Sequence, residues 1–368
     1  MVKMKEASCL PNYAIPPGET LRETLETIGM TQAELANRTG RPKKTINEIA
    51  AGKAAITAET ALQLERALGI SASFWNNLER NYQETLARLR EDKKFDEEKS
   101  WIKRFPVATL TRMGWIPRED SSAKTLRAIL NFFGVAGIEE WKAFWEKPEA
   151  AYRNSKAYQT NHYAVAAWLR KGEIEAGRIE TRPYNARSFK GVLSDLRPLT
   201  TERPEIFEPT MKKVCAEGGV AVAFVPELPG TLVYGATRWL KATKAIIQMS
   251  LRGKTDDHLW FTFFHEAGHI VRHGKEDIFI ETGDGDYLER GRKEKEEEAD
   301  QFSQDLLIPP DEYRAFLDNK QFDLTAVKAF ARKLGIAPGV VVGRLQHDKV
   351  IPFNQGNSLK KKFRFADQ

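Results

Sequence analysis

The most specific chemistry in this sequence lies in the segment His265-Glu266-Ala-Gly-His269. Histidines four positions apart lie on one face of a helix, so both imidazoles can reach a single zinc ion. Glu266 follows the first histidine and would lie beside the metal, where it can take a proton from water as a general base. Residues 259–264 are almost entirely apolar and predict a buried helix. The pattern indicates a zinc site with hydrolytic chemistry.

A third protein ligand is expected for such a site, and the acid-rich stretch 294–307 is its best source. As a helix, this stretch would present an apolar face formed by Ala299, Phe302, Leu306 and Leu307. At about 100° per residue, Glu296 is the acid nearest that face. Glu296 is therefore the predicted third ligand, and Glu298 is the fallback. An extended zinc motif would need a histidine at 275, but Lys275 occupies that position.

Two further residues are predicted to support the ligands rather than to bind the metal. Asp300 lies one turn after the predicted third ligand and could orient a histidine by a hydrogen bond. His273 shares the face of the two zinc-binding histidines, but Gly274 follows it as a typical residue beyond a helix end, which favours a role in the last turn. The sequence does not identify the residue that would stabilise an oxyanion; His347 and Tyr234 are the candidates.

A second chemistry-bearing segment lies near the N-terminus, where short helical patterns follow one another from residue 19 to about residue 90. Residues 31–34 form a capping box that opens one short helix, and Pro42 fits the first turn of the next. Two short helices joined at 39–41 are typical of a helix-turn-helix, whose second helix enters the major groove of DNA. Between residues 38 and 53 there are five basic residues and one acid, a surplus that favours DNA.

These segments are positioned by a chain whose pattern predicts a mainly α protein with a small β-sheet (α+β). Short β-rich runs occur at 219–226, 231–236 and 245–251. The predicted parts are a helix-turn-helix domain at 1–90, a charged linker and helical middle region at 91–204, a zinc-site domain at 205–350 and a basic tail at 351–368.

The composition argues against wholesale disorder, collagen-like repeats and a membrane protein. The 368 residues contain 41% hydrophobic and 29% charged side chains, without a run of 18 apolar residues. The start of the chain lacks the apolar core of a secretory signal, so a cytoplasmic protein without a membrane partner is expected. Two cysteines cannot form a disulfide framework, and a net charge of +6 permits an anionic partner without requiring one.

Residues 18–80 resemble the XRE family of helix-turn-helix domains, most closely the HigA-type plasmid-maintenance antidotes. The resemblance is carried by residues 30–36, 45–53, 58–65 and 69–75. It implies a homodimer on a palindromic operator in double-stranded DNA. The predicted DNA-contacting residues are Gln32, Arg41, Lys43, Lys44, Thr45 and Asn47.

Residues 205–350 resemble the ImmA/IrrE family of zinc metallopeptidases. The resemblance is carried by residues 261–273, 296–302, 306–309 and 330–347, with Ser303 standing where the family usually has alanine. It implies a gluzincin-like endopeptidase domain with Zn²⁺ as its cofactor. The implied zinc ligands are His265, His269 and Glu296, and the implied base is Glu266.

Together these resemblances imply a DNA-binding regulator whose zinc endopeptidase cleaves a repressor-type protein, either itself or a partner. A bond near 91–104 is the hypothetical site of cleavage within the chain, and the run 245–251 is the hypothetical strand for pairing with an extended peptide. One alternative is an antitoxin-type repressor, with a toxin partner, whose zinc domain is a sensor or a scaffold without proteolysis. Another is an N-terminal segment that docks proteins rather than DNA.

Overall fold

The computed structural model describes residues 13–146, 156–273, 275, 279–281 and 290–365, so Cys9 and Gly274 lie outside the described residues. Over these residues the chain is mainly helical with one small sheet, as predicted. None of the described helices is long and apolar enough to cross a membrane. The α-helices are α1 Pro17–Ile28, α2 Gln32–Thr39, α3 Lys43–Ala50, α4 Ala58–Leu68, α5 Ala72–Glu97, α6 Lys99–Ile102, α7 Val107–Arg112, α8 Ser122–Phe133, α9 Ile138–Trp141, α10 Lys156–Gly177, α11 Ala186–Leu196, α12 Pro204–Glu217, α13 Asp256–Arg272, α14 Arg290–Leu307, α15 Pro310–Asp318, α16 Leu324–Leu334 and α17 Pro338–His347.

The chain divides into two compact units. Unit 1 comprises residues 1–102 and 119–126, and unit 2 comprises residues 103–118 and 127–368. Residues 91–97, at the start of the charged stretch, continue α5 as a helix. The two chemistry-bearing segments found in the sequence therefore belong to different units.

In unit 1, side-chain caps and glycines set the short helices at the predicted places. The Thr31 hydroxyl accepts a hydrogen bond from the Glu34 N–H at 3.1 Å, which starts α2. Gly40 has φ 66°, a left-handed conformation that ends α2 and lets α3 start three residues later. The apolar faces of α1 to α5 then enclose one core, whose largest fully buried side chains are Leu21, Leu35, Ile46, Ile49, Leu64 and Trp75.

Unit 2 is built around a four-stranded sheet in the order β1-β3-β2-β4. The strands are β1 Val220–Phe224, β2 Gly235–Lys241, β3 Lys244–Met249 and β4 Phe279–Glu281. β3 pairs in parallel with β1 and antiparallel with β2, and β2 pairs antiparallel with β4. Because both of its faces are buried, β3 has a nearly continuous apolar sequence.

Two expectations about this sheet are wrong. The strand expected at 231–236 begins instead at Gly235 and runs to Lys241. The run 245–251 cannot pair with a substrate peptide, because β3 already has a neighbouring strand on each side. Among the described strands, β1 and β4 border the sheet, and β4 was missed because three residues are too short for an alternating pattern.

The helical middle of the chain is fastened to the sheet by buried hydrogen bonds. The Trp168 indole N–H on α10 donates to the Val225 carbonyl at 3.0 Å, and the Gln248 amide on β3 donates to the Trp168 carbonyl at 2.7 Å. α10 can approach this closely because Gly172 has no side chain; a Cβ there would lie 1.8 Å from the Gln248 Oε1 atom.

The start of α13 contains two buried aspartates that are bound by residues near the end of the chain. The Lys360 ammonium lies 2.5 Å from the Asp257 carboxylate and 2.7 Å from the Gln346 side-chain oxygen. The Lys361 N–H donates to the Asp256 carboxylate at 3.1 Å. The stretch expected to be a basic tail therefore belongs to unit 2, and its residues 360 and 361 contact the start of α13.

We predict that Asp256 makes unit 2 less stable as the pH rises. Burial, and then the neighbouring Asp257, raise the pKa of the Asp256 carboxyl to about 6, against 3.8 for an exposed aspartate. Its stabilising contribution is thus complete below pH 3.8 and is lost as the pH rises through about 6. The side chain of Asp256→Asn does not ionise. The free energy of unfolding of this variant, relative to the wild type, should therefore rise by about 2 kcal/mol between pH 4 and pH 7.

Hydrogen exchange of the α13 amides, corrected for intrinsic rates, measures this difference at the two pH values. Asp195→Asn, which changes an exposed carboxylate on α11, is the matched control and should show no such gain. An equal effect of Asp256→Asn at pH 4 and pH 7 would contradict the prediction.

Candidate functional site

The predicted metal ligands lie where α13 and α14 pack against each other. α13 is buried over most of its length, and its polar side chains share that burial: His265, Glu266 and His269 are 3%, 0% and 1% exposed. Gly268 lets the helices approach, because a Cβ there would lie 3.2 Å from the Ala299 Cα atom. This approach brings the carboxylate of Glu296 on α14 to the two histidines.

Three potential ligand atoms converge at this place. The Nε2 atoms of His265 and His269 are 3.0 Å apart, and the Oε2 atom of Glu296 lies 3.1 Å from the first and 3.3 Å from the second. Ligands about 2.0–2.1 Å from a tetrahedral zinc ion lie about 3.3 Å from one another. Both the spacing and the His₂Glu donor set therefore fit zinc, and we call these three side chains the His265–His269–Glu296 cluster.

Hydrogen bonds on the far side of each histidine orient the rings. The Nδ1 atom of His265 lies 2.8 Å from the Asp300 carboxylate, an arrangement that leaves Nε2 as the metal-binding atom. The Nδ1 atoms of His269 and His273 are 2.9 Å apart. Glu298 lies 3.3 Å from the Nε2 atom of His273 and is 57% exposed, so it contacts this supporting histidine and not the cluster.

The charge states of the cluster suit a cation. Burial lowers the pKa of His269 to about 4, so this imidazole is neutral at physiological pH. Burial opposes ionisation of Glu296, but hydrogen bonds with His265 and His269 outweigh it and hold the carboxyl pKa well below its usual range. The result is a neutral imidazole beside an ionised carboxylate, which is the protonation state that binds a metal.

The predicted base, Glu266, lies against the first residue of β2. A Cβ at Gly235 would lie 2.8 Å from the Glu266 Oε1 atom, so glycine there leaves the space that this carboxylate occupies. The Thr237 hydroxyl donates to the Glu266 backbone carbonyl at 3.1 Å. β2 therefore holds the backbone of this residue and leaves room for its carboxylate, although no motif in the sequence marked Gly235.

Two other residues of the site were missed by reasoning from the sequence. The ring of Phe279 on β4 stacks on the His269 ring with centroids 3.8 Å apart. The buried hydroxyl of Ser303 donates to the Phe261 carbonyl at 2.9 Å and links α14 to α13. No local pattern marks a lone phenylalanine in a three-residue strand, whereas the departure from alanine at 303 was visible as a signal.

The two oxyanion candidates lie outside the His265–His269–Glu296 cluster. Tyr234 and His347 both line a neighbouring cavity of about 290 Å³. The His347 side chain is 60% exposed and lies 3.0 Å from the Asp348 carboxylate, and Tyr234 stacks on His258. Neither of them has a described contact with a ligand atom of the cluster.

The predicted DNA-contacting residues lie on α2, on α3 and in the turn between them. Lys43, Lys44 and Asn47 are exposed, whereas Gln32 and Thr45 are half-buried. The Lys44 side chain is 84% exposed. The structure thus places basic and amide groups together at the start of α3.

Arg41 differs from the other predicted DNA contacts. Its guanidinium is only 19% exposed, donates to the side-chain oxygen of Gln63 and pairs with Glu59 at 3.2 Å. Both partners lie on α4. Arg41 therefore ties the turn to α4 and would have to leave these partners before it could reach a phosphate.

Comparison with known families assigns both segments. The helix-turn-helix family model matches residues 21–75, and the model described as an IrrE N-terminal-like domain matches residues 234–346. The first match covers α1 to the start of α5, and the second covers the His265–His269–Glu296 cluster together with α15, α16 and most of α17.

Individual relatives were found for the N-terminal segment. Virulence-associated protein I of Dichelobacter nodosus is 41% identical over 70 residues, which are 19% of this chain and 65% of the relative. A HigA-family addiction-module antidote from Coxiella burnetii is 35% identical over 23% of this chain and 94% of its own, with a TM-score of 0.22. The Pseudomonas aeruginosa antitoxin HigA, solved with the higBA promoter, is 33% identical over 23% of this chain and 95% of its own, also at 0.22.

We predict that zinc binding depends on Glu296 and, more weakly, on Asp300. Glu296→Gln removes the negative charge from the cluster, so zinc affinity measured by competition with a chelator should fall by more than about 100-fold. Asp300→Asn removes only the orienting carboxylate and should cost about tenfold. Glu298→Gln is the matched control on the same helix and should leave the affinity nearly unchanged; an equal loss from it would contradict the assignment of Glu296 as the specific ligand.

Proposed function

We propose that this protein is a DNA-binding regulator with a zinc-dependent endopeptidase activity. The proposal starts from the two parts of the chain, an XRE-type helix-turn-helix domain and an ImmA/IrrE-like domain. The substrate of this activity is a repressor-type protein, either a second copy of this chain or a separate partner. The observation that carries the proposal is the convergence of His265, His269 and Glu296 beside a buried Glu266.

In this proposal each residue of the site has one task. His265, His269 and Glu296 hold the zinc ion, and Asp300 holds His265 in the orientation that exposes its Nε2 atom. Zinc bound there supplies Lewis acidity toward a peptide carbonyl and a water molecule. Glu266 accepts the proton of the attacking water and delivers it to the leaving amine. Its burial against Gly235 keeps its carboxylate in place for both transfers.

The sheet suggests how the peptide is held. β4 borders the described sheet and carries Phe279, whose ring stacks on His269. A peptide that adds to this border in extended form would run past the cluster. A bond within 91–104 of the same chain is a poorer substrate as it stands, because residues 91–97 and 99–102 are helical and would have to unwind first.

The experiment that tests the peptidase proposal compares the wild type with Glu266→Gln. The substitution keeps the size of the side chain but removes the base, so cleavage should fall by at least about 100-fold while zinc content stays the same. Candidate repressors and the chain itself are incubated with zinc-loaded protein, and the products are identified by mass spectrometry. Zinc binding without any Glu266-dependent product would favour the alternative of a sensor or scaffold domain in an antitoxin-type repressor.

For unit 1 we propose binding to a palindromic site in double-stranded DNA as a homodimer. The support is the helix-turn-helix match and the exposed basic residues at the start of α3. In this proposal Lys43, Lys44, Thr45 and Asn47 contact bases or phosphates, and Gln32 meets the DNA backbone. Arg41 acts by positioning α4, because its partners Gln63 and Glu59 already occupy it.

We predict that Lys43→Ala/Lys44→Ala weakens DNA binding and reduces its dependence on salt. Each lost phosphate contact should lower the slope of log affinity against log salt concentration by about 1. Arg66→Ala, which removes an exposed cation on α4, is the matched control. Affinity measured by fluorescence anisotropy on operator-length duplexes checks this, and a slope that Lys43→Ala/Lys44→Ala leaves unchanged would favour a protein-docking role for unit 1.

A further inference from the structure

A cavity of about 290 Å³ lies beside the first turns of α13. It is enclosed by α13, the end of α14 and α17, and Tyr234 closes it on the side of β2. Its apolar walls come from Phe261, Leu307, Ile308 and Val340. Three of these four residues are at least nine-tenths buried, so they form a fixed wall and not a loose surface.

The cavity lies next to the His265–His269–Glu296 cluster, because Phe261 and Tyr234 line it and are neighbours of the site residues. Phe261 lies one helical turn, about 5.4 Å, before His265, and the centroids of the two rings are 6.2 Å apart. Tyr234 directly precedes Gly235, the residue against which the Glu266 carboxylate rests. A peptide bond at the cluster would therefore have a neighbouring side chain within reach of the cavity.

The charged groups around the cavity are already paired within the protein. Asp257 is bound by Lys360 at 2.5 Å, and Asp348 binds both Arg344 at 2.7 Å and His347 at 3.0 Å. A charged side chain of a ligand would have to displace one of these pairs. The surface left for a ligand is therefore mainly apolar, and burying a large apolar side chain there is favoured by the hydrophobic effect.

We propose that this cavity receives a large apolar side chain of the peptide being cleaved, at a position within one or two residues of the scissile bond. The inference rests on the proposed peptidase function for its setting, and it names the substrate class of that site. Selection then depends on the shape of the cavity, so a residue that fills the cavity should change which peptides are accepted.

A cleavage experiment tests the selectivity. Zinc-loaded wild type is incubated with a library of peptides from a digested proteome, and cleaved bonds are aligned after subtraction of products made by Glu266→Gln. We expect leucine, phenylalanine and similar side chains to be enriched at one fixed position beside the bond. Gln304→Phe, from a half-buried residue that lines the cavity, should reduce kcat/KM for such peptides by at least about tenfold relative to peptides with alanine there.

The matched control is Gln301→Phe, which places the same ring one turn earlier on α14 at an exposed position outside the cavity. It should leave the preference unchanged. Cleavage that depends on Glu266 but shows no apolar preference would overturn the inference and leave the proposed function standing.

A binding experiment separates the proposal for the cavity from the proposed peptidase activity when no cleavage is seen. Acetyl-phenylalanine hydroxamate and acetyl-glycine hydroxamate carry the same zinc-binding group, and their affinities for the zinc-loaded protein are compared by calorimetry. The phenylalanine compound should bind at least about tenfold tighter, and Gln304→Phe should abolish this difference. Equal affinities, or no binding of either compound, would overturn the inference; a clear difference without proteolysis would support the cavity and count against the peptidase.

Discussion

The constraint on which unit 2 depends is the burial of three ionisable side chains on one apolar helix. A buried polar group without partners costs several kcal/mol, so His265, Glu266 and His269 need neighbours that satisfy them. α14 supplies Glu296 and Asp300 to the two histidines, and β4 covers the His269 ring with Phe279. β2 contributes Gly235, which leaves room for the Glu266 carboxylate, and Thr237, which binds the Glu266 backbone carbonyl. The sheet order puts β2 between β3 and β4, and all three of these strands contact α13.

Unit 1 is held together by a different principle. Its helices are short, with side-chain caps at α2 and α4 and left-handed glycines after α1, α2 and α4, and their apolar faces share one small core. The polar residues that face outward on α3 take no part in that core. Substitutions at these positions can therefore alter the proposed DNA contacts without disturbing the core. Arg41 is the exception, because its bonds to α4 make it part of the scaffold. In a regulator of the proposed kind, the residues that contact DNA are thus separate from the residues that hold the helices together.

Much of this was predictable because the signals are local. The capping box at Thr31, the spacing of His265 and His269, and the apolar face that singles out Glu296 all follow from helix geometry. What the sequence did not reveal depends on pairing between distant segments. The stacking of Phe279 on His269 joins residues 10 positions apart, the pairing of β1 with β3 joins residues 25 apart, and the attachment of Lys360 to Asp257 spans 103 positions. No periodicity in the sequence encodes these pairings. Arg41 was counted among the DNA contacts because its charge was visible, whereas its partners on α4 were not.

The attachment of residues 360–363 to the start of α13 has a consequence for the order in which the protein matures. Thr255 pairs with Lys362, Lys254 accepts the Phe363 N–H, and Lys360 reaches Asp257 across 103 positions of chain. On the ribosome, where synthesis proceeds from the N-terminus, unit 1 can close its core long before these residues emerge. α13, which carries His265 and His269, obtains its final anchors only after residue 363 has left the ribosome. A nascent chain would therefore have a folded helix-turn-helix before α13 has gained the contacts that fix its first turn.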